Sequence, residues 1–302
     1  MTNMSDLDQP RRDWLKRAAA GVCSLATAGG LSGWAATVVN AKAAPRLVTV
    51  GGAITEMAYL LGVQAQLVGT DTTSLYPAGA ARTPKVGYMR QLSAEGVLSL
   101  RPDAVIATSE AGPPAVLAQL RGAGVAVHLV ESDHTWDEVR RKLDAVARAA
   151  DRVAQAGPVW AAMQQRWIST QTRVRMARAG QPRVLFVLAH GGSPMVAGGR
   201  TAADAVIRFA GGRNALAGFQ GYRPMTAEAL AAATPDVILT TTQGLEAIGG
   251  EERFWQRPEL LLAEPLRRKA NGLLHMDALA LLGFGPRLPE AVAELHERLV
   301  RS

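Results

Sequence analysis

From Arg46 onward the chain alternates short apolar runs with amphipathic stretches. Leu47-Val48-Thr49-Val50 is a continuous apolar run of strand length, followed by Gly51-Gly52 and a helical pattern through Leu61. Gln66 to Gly69, Ala104 to Ala107 and Val125 to Val130 are further strand-like runs. Helical patterns fall between or after them, at Ser93 to Leu100, Pro114 to Ala123 and Thr135 to Ala150. Strands and helices alternating at this spacing predict a parallel sheet covered on both faces by helices. The alternation then stops. From Asp151 to Ala179 no strand signal appears, and Trp160, Met163, Trp167 and Val174 stand among Gln, Arg and Thr. This stretch predicts one long helix, stopped by Gly180-Gln181-Pro182. Alternation resumes with strands at Val184 to Leu188 and Val237 to Thr240, and helices at Thr201 to Ala210, Thr226 to Ala233 and Pro289 to Val300.

The halves on either side of the long helix repeat one pattern. Ser93-Ala94-Glu95 leads to Pro102-Asp103 and a strand; Thr226-Ala227-Glu228 leads to Pro235-Asp236 and a strand. Glu precedes Pro by seven positions in both, and a Gly-Tyr pair stands upstream in both, at Gly87-Tyr88 and Gly221-Tyr222. The Ser or Thr before each Glu is a helix N-cap, so each motif also has a local purpose. A period this long excludes a solenoid and predicts two related α/β lobes, 44–150 and 181–302, joined by a helix over 151–180.

The first 43 residues differ. Arg11-Arg12-Asp13-Trp14-Leu15-Lys16-Arg17 precedes a small-residue apolar run from Ala18 to Val39, which ends in Ala41-Lys42-Ala43. A basic region, an apolar region and an A-x-A site make an export signal, and the paired arginines resemble the twin-arginine type. A single membrane anchor is the alternative, although the Gly, Ser and Thr in the run weaken it as a span. Cleavage after Ala43 would leave 259 of the 302 residues and remove the only cysteine, Cys23. The formal charge would fall from +7 to about +5. A chain without cysteine excludes thiolate zinc sites and internal disulfides.

On these residues the chain resembles the periplasmic substrate-binding proteins of ABC importers with two Rossmann-like lobes joined by a long helix. That class serves haem, siderophores and cobalamin. The resemblance is carried by Val48 to Glu56, Gly69 to Pro77, Val86-Gly87-Tyr88-Met89-Arg90-Gln91-Leu92, Ser193 to Gly198 and Leu282 to Arg287. The segment Gly-Tyr-x-Arg-Gln-Leu is most similar to haem-binding members. The resemblance implies a parallel-sheet α/β fold with the ligand cleft between the lobes. It implies Tyr88 as axial ligand to haem iron, and Arg90 as support for it or as a propionate contact. Ferric haem accepts a phenolate, and a phenol that ionises near pH ~10 gains from a cationic neighbour. In an extended loop residues 88 and 90 would share a side. A half-buried loop tyrosine bonded to backbone is the alternative role for Tyr88.

Tyr222, Arg223 and His190 are the second-lobe candidates for the opposite wall of the cleft. His190 follows a predicted strand, at the end where ligands sit in open sheets. Met89, Met195 and Met225 are candidate apolar contacts, with core packing as the alternative. His275 reads as structural, and His128 and His134 form no metal pattern with carboxylates. The resemblance also implies that Glu95 and Glu228 dock the two lobes on a permease dimer, since paired charges set register; stabilising a helix N-terminus is their local alternative. It implies haem as cargo, a monomeric carrier in the periplasm, and an outer-membrane haem uptake system upstream.

Other functions find less support. A siderophore or corrinoid on the same fold is the nearest alternative. A nucleotide-dependent Rossmann-type enzyme would want a full G-x-G-x-x-G, which Gly51-Gly52-Ala53-Ile54-Thr55 does not provide. Gly191-Gly192-Ser193-Pro194 is not a nucleophile elbow. Basic charge without a basic helix or an aromatic platform does not make a nucleic-acid site.

Overall fold

The computed structural model describes residues 43–177, 180–189, 193–263, 267–269 and 272–301. The expected export signal, up to residue 42, and His190 lie outside the described residues. The first lobe runs β1 (Leu47–Val50), α1 (Gly52–Leu60), β2 (Leu67–Thr70), α2 (Ala78–Ala81), β3 (Gly87–Tyr88), β4 (Gln91–Leu92), α3 (Ala94–Ser99), β5 (Ala104–Thr108), α4 (Pro114–Gly122), β6 (Ala126–Val130) and α5 (Trp136–Ala149). Helix α6 (Val153–Met176) follows. The second lobe runs β7 (Arg183–Leu188), β8 (Met195–Ala197), α7 (Ala202–Phe209), β9 (Arg213–Asn214), β10 (Tyr222–Pro224), α8 (Ala227–Ala233), β11 (Val237–Thr241), α9 (Thr242–Ala247), α10 (Glu251–Trp255), β12 (Leu273–Met276), α11 (Ala278–Leu282) and α12 (Leu288–Val300).

The first sheet has the order β2-β1-β5-β6 and is parallel throughout. Strands β1 and β5 are buried along their whole length, as expected of runs covered on both faces. The second sheet is mixed. Strand β7 pairs in parallel with β11 and β9, and β11 with β12, but β8 and β10 run antiparallel on one side of β7. The expectation of parallel sheets is thereby corrected at β8 and β10. The exception is β8, which runs antiparallel to both of its neighbours, β7 and β10. The parallel pairs β7–β11 and β11–β12 have helices between their strands in the chain, as parallel crossovers require.

Helix α6 buries Ala156, Met163, Trp167 and Thr170. Those spacings of seven, four and three residues put all four on one face. Trp136 of α5 stacks on Trp160 and on Trp167 at ring-centroid distances of 5.1 and 4.7 Å. Trp167 then meets the edge of Phe209 in α7 at 5.0 Å. One hydrophobic cluster therefore runs from Leu47 and Ile54 in the first lobe through Met163 and Trp167 to Phe186 and Leu295 in the second.

Polar ties reinforce this shared core. Arg287 grips Glu56 with two hydrogen bonds of 2.7 and 2.9 Å. Its guanidinium lies 4.1 Å from the centre of the Tyr76 ring. Burial raises the Glu56 carboxyl above its ordinary pKa, against the opposing pull of Arg287. Among the described residues no helix is long and apolar enough to cross a membrane.

Candidate functional site

At the C-terminal ends of β1, β2 and β5, the first lobe's loops are tied together by hydrogen bonds. Gly51 has φ +104°, which glycine adopts without strain, and a Cβ there would approach Thr108 to 3.1 Å. Its N–H donates to Asp71 at 3.0 Å. The buried Asp71 carboxylate also accepts from the N–H and hydroxyl of Thr73 and from the hydroxyl of Ser74. The loop after β2 is thus closed on its own carboxylate.

The β3–β4 hairpin is held on two sides. Thr72 N–H donates to Gly87 C=O at 3.0 Å. Leu92 N–H donates to Gly112 C=O at 2.9 Å, and Gly112 N–H to Met89 C=O at 3.0 Å. Gly87, at φ +105°, turns the chain into the hairpin, and Tyr88 pairs with Gln91 across it. Tyr88 stands 41% exposed.

Arg90 approaches Tyr88, but not for the expected reason. Met89 and Arg90 form the hairpin's turn, so the strand alternation expected for an extended loop does not apply. The turn sets Arg90 beside both Tyr88 and Glu110, with Nη2 2.5 Å from Glu110 Oε2. Desolvation disfavours the guanidinium charge, but the hydrogen bond and charge of Glu110 outweigh it, Tyr88 adds to them, and the pKa rises.

Tyr222 begins β10 opposite Ala197 of β8 and follows Gly221, at φ +77°. Like Tyr88, it follows a glycine in the left-handed region. It keeps 38% of its surface open, yet its surroundings desolvate the phenol. That burial, with the negative charge of Glu110, pushes its pKa to about 12 against the opposing charge of Arg90 and a hydrogen bond with Thr201. Glu110 and Arg90 belong to the first lobe, so groups from both lobes share one electrostatic environment. Arg223 stacks on Phe219 at 4.5 Å from the ring centre.

Other candidates fall elsewhere. Met225 is only 4% exposed and belongs to the second lobe's core, so it takes the alternative role of core packing rather than that of an apolar haem contact. Met89 is half-buried against the first lobe's core and Met195 is half-buried on β8. His275 hydrogen-bonds Thr242 at 3.1 Å, and His134 lies against the Phe284 ring. Among the described residues no three His, Cys, Asp or Glu side chains converge on a metal position. Glu110 was missed by sequence reasoning; its only signal is its place just after β5, at the ligand-binding end of a parallel sheet.

Glu95 and Glu228 are both exposed in the first turn of α3 and α8. The expected caps form: Ser93 Oγ accepts from Gly96 N–H at 3.2 Å, and Thr226 Oγ1 from Ala229 N–H at 3.1 Å. Hydrogen bonds from its own backbone and from Thr226 lower the Glu228 pKa.

A family model described as "Periplasmic binding protein" matches residues 47–264. The chain belongs to this family. It is 47% identical to a solved chain described as periplasmic heme-binding protein BhuT in complex with two hemes, covering 85% of this chain and 98% of that one at a TM-score of 0.79. It is 35% identical to a periplasmic heme-binding protein from Pseudomonas aeruginosa, covering 86% and 94% at a TM-score of 0.75. A vitamin B12-binding protein of Yersinia pestis (strain Pestoides F) is 28% identical over 263 residues, which are 85% of this chain and 91% of the relative.

Proposed function

We propose that this protein captures ferric haem in the cleft between its lobes and delivers it to an ABC-type inner-membrane importer. The observation that carries this reading is the placement of Tyr88 beside Arg90, in the same environment as Tyr222 of the other lobe. Tyr88 is the axial oxygen ligand, and Arg90 stabilises that oxygen or meets a propionate. Tyr222 and Arg223 line the opposite wall, with His190 a further second-lobe contact. The 47% identity to a chain solved with two hemes supports haem as the cargo. Residues 1–43 are a cleaved, twin-arginine-like export signal, lobes 44–150 and 181–302 flank the linker 151–180, and the carrier works as a periplasmic monomer without catalytic activity. An outer-membrane haem uptake system supplies it. The core shared by both lobes favours a modest closing motion.

The relative that binds vitamin B12 makes a corrinoid the second reading. Parallel titrations with haemin and cyanocobalamin separate the two. Haemin is expected to give a shifted Soret band and the charge-transfer band of a tyrosine-ligated ferric haem, with a stoichiometry of one or two. Saturable binding of cyanocobalamin, without a haemin response, would overturn the haem reading.

Glu95 and Glu228 dock the two lobes on the two halves of the permease. Replacing both with alanine is expected to leave haem affinity within about twofold of wild type. Haem uptake into vesicles carrying the importer should fall by about tenfold or more, because lost charge pairs at an interface cost association. Unchanged uptake would reduce both residues to helix-terminus stabilisers.

A further inference from the structure

We propose that Glu110 is a placeholder carboxylate: it holds Arg90 at the cleft in the empty protein and yields it to a carboxylate of the cargo. The inference rests on the haem reading above and adds to it a residue that sets affinity and release.

Two arginines approach the cleft loops, and their partners differ. Arg287 grips the buried Glu56 with two nitrogens and also contacts Asp277, at 3.2 Å. That is the bidentate fork a guanidinium makes with a permanent partner. Arg90 touches Glu110 through one nitrogen and one oxygen, and the two side chains are 56% and 40% exposed. An ion pair so open to water contributes little net stability, because both charges are nearly as well served by solvent. A second carboxylate can therefore displace Glu110 at small cost.

The backbone keeps the exchange local. Glu110 lies two residues from Gly112, whose N–H and C=O both bond the hairpin that carries Tyr88 and Arg90. The loop and hairpin stay fixed while the guanidinium swings between carboxylates. Haem brings two propionates and an iron that seeks the Tyr88 oxygen. A propionate meeting Arg90 must compete with Glu110 and is also repelled by it. Glu110 thereby weakens capture and speeds release, which suits a carrier that must hand its cargo on.

The test compares wild type, Glu110→Gln, Glu110→Ala, Arg90→Ala and Arg90→Ala/Glu110→Gln, using haemin and haemin dimethyl ester, which lacks free propionates. Affinity is read from the Soret band and release from transfer to apomyoglobin, with near-UV circular dichroism checking the fold. Removing the Glu110 charge is expected to tighten haemin binding by about fivefold, the worth of one exposed ion pair, mainly through slower release. Affinity for the dimethyl ester should change by less than about twofold, and the haemin gain should fall below about twofold in the Arg90→Ala background. An equal gain for the ester, a gain that persists without Arg90, or no gain in folded Glu110→Gln and Glu110→Ala would overturn the proposal. Wild-type protein that does not bind haemin would instead overturn the haem reading itself.

Discussion

Replacing Tyr88 with alanine is expected to weaken haemin binding by on the order of 100-fold or more and to remove the charge-transfer band. Residues that only support a metal ligand already cost about 10–100-fold when replaced, so losing the ligand itself lies at or beyond the top of that range. Tyr222 cannot take over cheaply, because burial and the charge of Glu110 keep its phenol protonated up to about pH 12. Arg90→Ala, by the same reasoning, should cost about tenfold and leave the band in place. Equilibrium titration followed by the Soret and charge-transfer bands, which respond to the axial ligand, reads both effects. A Tyr88→Ala protein with wild-type affinity and spectrum would move the ligand to another residue.

Most of what positions this site is visible in the sequence, and the exceptions share a cause. Strands β1, β5 and β11 are continuous apolar runs that are buried along their length, so pattern and burial agree. The caps at Ser93 and Thr226 are legible because the N-cap preference is chemical and local. The β3–β4 hairpin and the antiparallel pair β8 and β10 are two or three residues per strand and partly exposed, too short to show a period of two. Tyr88 stands out as a candidate only through its Gly-Tyr-x-Arg motif, and its approach to Arg90 comes from a turn that the pattern does not reveal. The sequence leaves Met225 open between an apolar contact and core packing, because it cannot show which way the residue after the short strand β10 turns; it turns into the second lobe's core. Glu110 has no sequence motif of its own, since its partner lies 20 residues earlier on a separately folded hairpin.

The buried pair Glu138–Lys142 was equally hidden, and its loss should have the largest effect on stability. In the sequence it is an i,i+4 pair of a kind common on solvated helix faces. In the structure the Lys142 side chain is buried, with Nζ 2.6 Å from Glu138 Oε1. It also donates to the carbonyls of Gly283 and Phe284 at 2.8 and 3.2 Å. All three ammonium donors are thus used, two of them on the segment between α11 and α12. Glu138 in turn accepts from His134 N–H at 2.7 Å. Burial lowers the Lys142 pKa, and the Glu138 charge is the main force opposing that shift. Glu138→Ala is therefore expected to destabilise the protein by about 3–5 kcal/mol, because it strands a buried ammonium. The midpoint of urea unfolding, followed by tryptophan fluorescence, measures the loss. Glu138→Leu combined with Lys142→Met should recover much of it, since a well-packed apolar pair of similar volume replaces a buried ion pair at little cost. The two carbonyls would still lose a donor, so recovery should be incomplete. A double variant no more stable than Glu138→Ala would show that the tie to Gly283 and Phe284, rather than the ion pair, is what α5 contributes to joining the lobes.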